Sequence, residues 1–290
     1  ILVDERKFPF DAQRRTSGGG EINLHSASLP VWVDRGLTPA CVNCTNSDRV
    51  GHMPGTNLTR AEAAERAATI RTHRYDVTLD LTVGTERFAS TTRIDFDAVP
   101  GSSTFVDLVD AEIDSIVLNG EPLGLDCYQD SRIELSNLPE SNELIVSGTC
   151  KYSNSGEGLH RFVDPVDDRV YLYTQFEVPD ARRVFATFEQ PDLKATFTFH
   201  VTAPKHWKVV SNPPSPEPVP VDDDHAIWHF APTQTMSTYI TAIVAGEYHE
   251  VRDSYQGEFE EIPLGVFCRQ SLVEFLDADD IFEITKQGFD

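Results

Sequence analysis

Gln175 and Glu177 stand two residues apart in the run Tyr171-Leu172-Tyr173-Thr174-Gln175-Phe176-Glu177. On an extended chain, residues two apart share a face. An amide and a carboxylate would then be aimed into the same space. Such a pair suits an ammonium beside a carbonyl, which is the free end of a peptide. A polar pair on an ordinary solvated strand has the same spacing, so spacing alone leaves both readings open.

Other chemistry fails on its residue requirements. A zinc-hydrolase helix needs His-Glu-x-x-His, which sets two imidazoles on one helical face beside a carboxylate. His249-Glu250 is followed by Val251, Arg252 and Asp253, so the second imidazole is missing. His225 and His229 have the right separation, but Ala226-Ile227-Trp228 between them reads as a strand. On a strand, positions i and i+4 are too far apart to share an ion in helical fashion. Cys41-Val42-Asn43-Cys44 is a lone CxxC, with neither a second pair nor a strand-to-helix setting. No Gly-x-Ser-x-Gly elbow, phosphate loop or dinucleotide fingerprint occurs. The expectation is therefore no catalytic residue and no metal ligand in this chain.

Composition narrows the partners. Asp and Glu number 47 against 24 Lys and Arg, a net charge of −23. So acidic a surface repels phosphate, which argues against nucleic acid and anionic membrane. No apolar run reaches the roughly 18–20 residues of a membrane helix. The opening Ile1-Leu2-Val3-Asp4-Glu5 lacks the basic and apolar regions of a signal peptide, so the expected compartment is the cytoplasm. Five scattered cysteines do not form a disulfide framework.

The elements that must position Gln175 and Glu177 come from periodicity. Residues 1–52 show no sustained period and balance six basic against six acidic side chains, so the whole excess charge lies beyond them. We read 1–52 as an unstructured extension, or as upstream sequence translated in error with Met53 as the true start. Thr59 and Glu62 form a capping-box pair before a short helix over Ala61–Ile70. A period of two follows: Tyr75, Val77, Leu79, Leu81 and Val83, a turn at Gly84-Thr85-Glu86, then Phe88, Ser90, Thr92, Ile94 and Phe96. Short strands are expected at 105–108, 115–118, 131–135, 144–147, 195–201, 207–211, 225–230 and 238–244, with a hairpin turn at Asn119-Gly120. Five prolines between 213 and 220 predict a stiff, exposed connection. The pattern from about 72 to 252 predicts a mainly β fold, a large antiparallel saddle-like β-sandwich. Phe275, Ala278, Ile281, Phe282 and Phe289 predict a closing helix led by Asp277, Asp279 and Asp280, without a C-cap.

One segment is more specific. Thr174-Gln175-Phe176-Glu177, Asp180-Ala181-Arg182-Arg183 and Phe188-Glu189-Gln190-Pro191-Asp192-Leu193-Lys194-Ala195-Thr196-Phe197 follow one another closely. Together with Val209-Val210-Ser211-Asn212 and Met236-Ser237-Thr238-Tyr239, this run resembles the aminopeptidase N family of zinc metallopeptidases in its actinobacterial form. The resemblance covers about residues 53–290. It implies a β saddle domain over 53–252 and the truncated start of a thermolysin-like catalytic domain over 253–290. It also implies that Glu177 binds the α-amine of a peptide N-terminus and that Gln175 lines the pocket for the first side chain. The family's zinc-binding and exopeptidase motifs do not occur before Asp290. The resemblance therefore implies zinc in the full-length enzyme, none bound by this chain, and a downstream catalytic domain as partner. This N-terminal part would be inactive alone. The competing reading from another class is a non-catalytic β-sandwich binding or interaction module.

Overall fold

The computed structural model describes residues 57–258 and 260–290. The expectations for residues 1–52, the Cys41/Cys44 pair and Met53 lie outside them. Thr59 caps helix α1 (Arg60–Thr69), and both halves of its box with Glu62 are made. Ile70 leaves the helix in extended conformation and starts the first strand.

The strands in the first half are β1 (Ile70–Asp80), β2 (Arg87–Ala98), β3 (Thr104–Asp107), β4 (Glu112–Leu118), β5 (Glu121–Pro122), β6 (Tyr128–Gln129), β7 (Arg132–Leu135) and β8 (Ser141–Lys151). Those that follow are β9 (Gly158–Val163), β10 (Val170–Gln175), β11 (Thr196–Pro204), β12 (Lys208–Ser211), β13 (Val219–Pro220), β14 (His225–His229) and β15 (Ile243–Gly246). A hairpin of β16 (His249–Gln256) and β17 (Glu261–Cys268) leads to helix α2 (Ala278–Gln287).

Eight strands form one sheet in the order β13-β14-β11-β1-β2-β8-β4-β5. Its pairs are antiparallel except β1–β11, which is parallel and refines the all-antiparallel expectation. The inner face carries Tyr75, Val77, Leu79, Phe88, Ile94, Phe96, Leu144, Val146, Phe197, Phe199 and Val201, all buried. Each such side chain contributes roughly 1.5–3 kcal/mol by leaving water. Over this face lie the small sheet β3-β7-β6 and the irregular segment 176–190. That segment is stitched down by Ala186 N–H to Thr92 Oγ1 (3.2 Å), Phe188 N–H to Tyr75 Oη (3.1 Å), and a two-bond bridge between Asp107 and Thr187. The four-stranded sheet β12-β15-β10-β9 stands beside it and ends in Gln175.

Asn119 and Gly120 both adopt positive φ (54° and 83°), as a type I′ hairpin requires, and they join β4 to β5. Pro220 sits in β13, at the edge of the large sheet, where a missing N–H is tolerated.

Several expectations need correction. Val83 is exposed, because β1 ends at Asp80, whose carboxylate takes the Thr82 N–H and hydroxyl. Residues Thr238–Ile240 form a 3-10 turn, and the strand begins only at Ile243. Local hydroxyl bonds compete with the ladder there, Thr241 Oγ1 donating to the Thr238 carbonyl at 2.7 Å. The closing helix does have a terminus: Gly288 N–H returns to the Ile284 and Thr285 carbonyls. β16 runs through residue 252 into its hairpin with β17. Helix α2 packs on that hairpin through buried Phe282, with Lys286 paired to Asp253 (2.6 Å). No described helix is long and apolar enough to cross a membrane.

Candidate functional site

β10 runs between β15 and β9, so both its edges are hydrogen-bonded. Its final residue, Gln175, lies opposite Gly158 on β9. Phe176 is 3% exposed and meets Phe185 edge-on at 5.9 Å between ring centres. With Phe176 turned inward, Gln175 and Glu177 on either side are both exposed. The alternation expected of these residues holds. The extended run does not: β10 stops at Gln175, and Glu177 opens a turn that lasts through Asp180. Among the described residues, neither side chain has a hydrogen-bond or ion-pair partner.

The turn rests on a buried polar cluster. Arg182 Nε donates to the Pro179 carbonyl (2.9 Å), and the Arg182 N–H donates to Glu189 Oε2 (2.7 Å). Glu189 Oε1 accepts the Thr238 hydroxyl (2.9 Å). Asp107 gathers three guanidinium groups: Arg66 at 3.3 Å, Arg132 at 3.6 Å and Arg182 at 4.0 Å. Arg132 also pairs with Glu62 at 2.7 Å. Burial pushes the Asp107 carboxyl up against the pull of these arginines. Burial likewise pushes Glu189 up to about 7, opposed by the Arg182 and Thr238 hydrogen bonds. Sequence reasoning missed this cluster. Its members come from α1, β3, β7, the 180–190 segment and the Thr238–Ile240 turn, and no local spacing links these elements.

The His225 and His229 pair behaves as a pair of strand residues. His225 and His229 lie at the two ends of β14, as expected. His229 Nδ1 meets His200 Nδ1 across the β11–β14 ladder at 2.8 Å, and His225 pairs with Asp222. Glu250, beside His249, pairs with Lys208 at 2.9 Å. Among the described residues, no three His, Cys, Asp or Glu side chains are grouped to hold a metal. Cys127, Cys150 and Cys268 are free thiols.

Residues 71–240 match the family model described as the peptidase M1 N-terminal domain. That span runs from β1 to the Thr238–Ile240 turn and contains Gln175, Glu177 and most of the buried cluster. The chain is 54% identical over 244 residues to Aminopeptidase N of Streptomyces lividans, covering 82% of this chain and 28% of that protein. It is 43% identical over 103 residues to Aminopeptidase N of Acetobacter pasteurianus, covering 36% of this chain and 28% of that protein. A probable aminopeptidase 1 of Sulfurisphaera tokodaii is 27% identical over 184 residues, 63% of this chain and 22% of its own length. The chain thus spans less than a third of the length of these relatives. With the family's model matched across the large sheet and the Gln175–Glu177 turn, the chain belongs to the peptidase M1 N-terminal domain family.

Proposed function

We propose that this chain is the N-terminal part of a zinc-dependent aminopeptidase and that Glu177 and Gln175 receive the free end of a peptide. One observation carries the reading beyond family membership: Glu177 is exposed beside buried Phe176, and its carboxylate has no partner among the described residues. A peptide's protonated α-amine supplies that partner. Gln175, the exposed residue that closes β10, lines the space for the first side chain. Requiring an ammonium at Glu177 restricts attack to the N-terminal residue, because an internal peptide nitrogen carries no charge.

The partner of this domain is a downstream catalytic domain, of which 253–290 is the beginning. Exposed Phe275, Ile284 and Phe289 support an apolar contact with it. Zinc, held by that downstream domain, would supply the activation of water for hydrolysis. No described group of residues fits the ion. The residues of this chain bind and orient substrate.

The test uses the whole enzyme and an aminoacyl anilide. A charge-assisted contact shielded from water contributes a few kcal/mol, so Glu177→Ala is expected to lower kcat/KM roughly a hundredfold. Glu177→Gln falls between. An amine-acetylated substrate is poor from the start and barely worsens with the mutation. A loss of less than about threefold would remove Glu177 from the site.

A further inference from the structure

We propose that Arg182 is the positioning residue that fixes the Glu177 turn, a role that rests on reading Glu177 as the amine anchor. The Glu177 side chain makes no hydrogen bond or ion pair among the described residues, so its direction depends on the backbone around it. Two ties hold that backbone from within: Asp180 N–H to the Phe176 carbonyl (3.2 Å), and Arg182 Nε to the Pro179 carbonyl (2.9 Å). The second reaches the turn two residues past Glu177, from below.

Arg182 can serve as a fixed post because it is itself held on every side. It is 7% exposed. Its N–H is bound to Glu189, and its carbonyl accepts the Val109 N–H at 2.7 Å. Its guanidinium faces Asp107 and reaches Asn57 Oδ1 at 3.4 Å. A planar fork serves the Pro179 carbonyl and these groups at once, and a single ammonium cannot. Arg183 braces the outer side, pairing with Asp180 (2.7 Å) and Glu157 (3.3 Å), with its Cβ against Gly158. At 36% side-chain exposure, Arg183 works in water and is the weaker brace. Gln175 is thus placed by strand register and Glu177 by Arg182.

Two measurements test this with Arg182→Lys, which keeps a charge near Asp107 and loses the fork. In this chain, hydrogen exchange across residues 176–183 is expected to quicken about tenfold while β1 and β11 stay protected. In the whole enzyme, the substitution is expected to cut kcat/KM roughly tenfold, chiefly through KM. In a Glu177→Ala background it should cost less than about twofold, because the residue acts through Glu177. Unchanged exchange overturns the clamp. Equal losses in both backgrounds overturn it too, because they mean a general structural role. Should Arg182→Lys not fold, Glu189→Ala withdraws one anchor of Arg182 and is expected to shift exchange the same way, about threefold. If Glu177→Ala changes nothing while exchange still quickens, the amine reading fails and the clamp stands.

Discussion

Glu189→Gln isolates the consequence of burying a carboxylate under the 176–190 segment. Burial raises the Glu189 carboxyl from 4.5 to about 7. Between these values the folded protein holds a proton that the unfolded chain releases. Its stabilising contribution is complete below about pH 4.5 and is lost as pH rises through about 7. A tenfold difference in proton affinity between the two states is worth about 1.4 kcal/mol, so the loss between pH 5 and pH 8 is roughly 2–3 kcal/mol. Glutamine has the same shape, stays neutral and can satisfy both neighbours, accepting from the Arg182 N–H and donating to the Thr238 hydroxyl. Urea unfolding of native and Glu189→Gln proteins at pH 5, 6, 7 and 8, followed by the fluorescence of buried Trp228, yields the difference in stability directly. Charge effects common to both proteins, the −23 net charge included, cancel in that difference. The variant is expected to gain on the native protein steadily up to about pH 7 and then level off. A difference constant within about 0.5 kcal/mol across the range would mean that Glu189 stays ionised, and the burial argument would be wrong.

Three further outcomes follow from packing. Phe185 is fully buried among the rings of Tyr75, Phe176, Phe197 and Phe199, so Phe185→Ala is expected to cost about 3–5 kcal/mol in urea unfolding. A Cβ on Gly148 would lie 2.3 Å from the Glu112 carbonyl oxygen, where the β4–β8 register shifts. Gly148→Ala should therefore cost about 1–3 kcal/mol, and a native-like unfolding midpoint would show that β4 moves freely. Thr59→Ala removes the hydroxyl of the capping box and should lower stability by about 1 kcal/mol, with a matching loss of exchange protection confined to α1.

Strand positions were legible where alternation is strict. On β1 and β2 one face must leave water and the other must not, so Tyr75, Val77, Phe88 and Ile94 declared themselves. The same logic set Gln175 and Glu177 on one face of an extended run, but β10 stops at Gln175 and Glu177 lies in a turn. It erred where side chains bond locally, as Asp80 does with Thr82 and Thr241 with the Thr238 carbonyl, because a short-range hydrogen bond can end a strand without altering the apolar pattern.

The sequence by itself determined the β class, the capped first helix and the Asn119-Gly120 hairpin. Each depends on neighbours within a few residues. Only the tertiary structure decided that β1 pairs in parallel with β11, that Arg66, Asp107, Arg132 and Arg182 meet, and that Arg182 lies under the turn bearing Glu177. The residues of those contacts stand far apart along the chain, apart from Arg182 and its turn. Burial of apolar faces has no preferred direction, so the pattern says which side of a strand is covered and not what covers it. The partners emerge only when the sheets close over one core and every charge trapped beneath them has to find an opposite charge or a hydrogen bond.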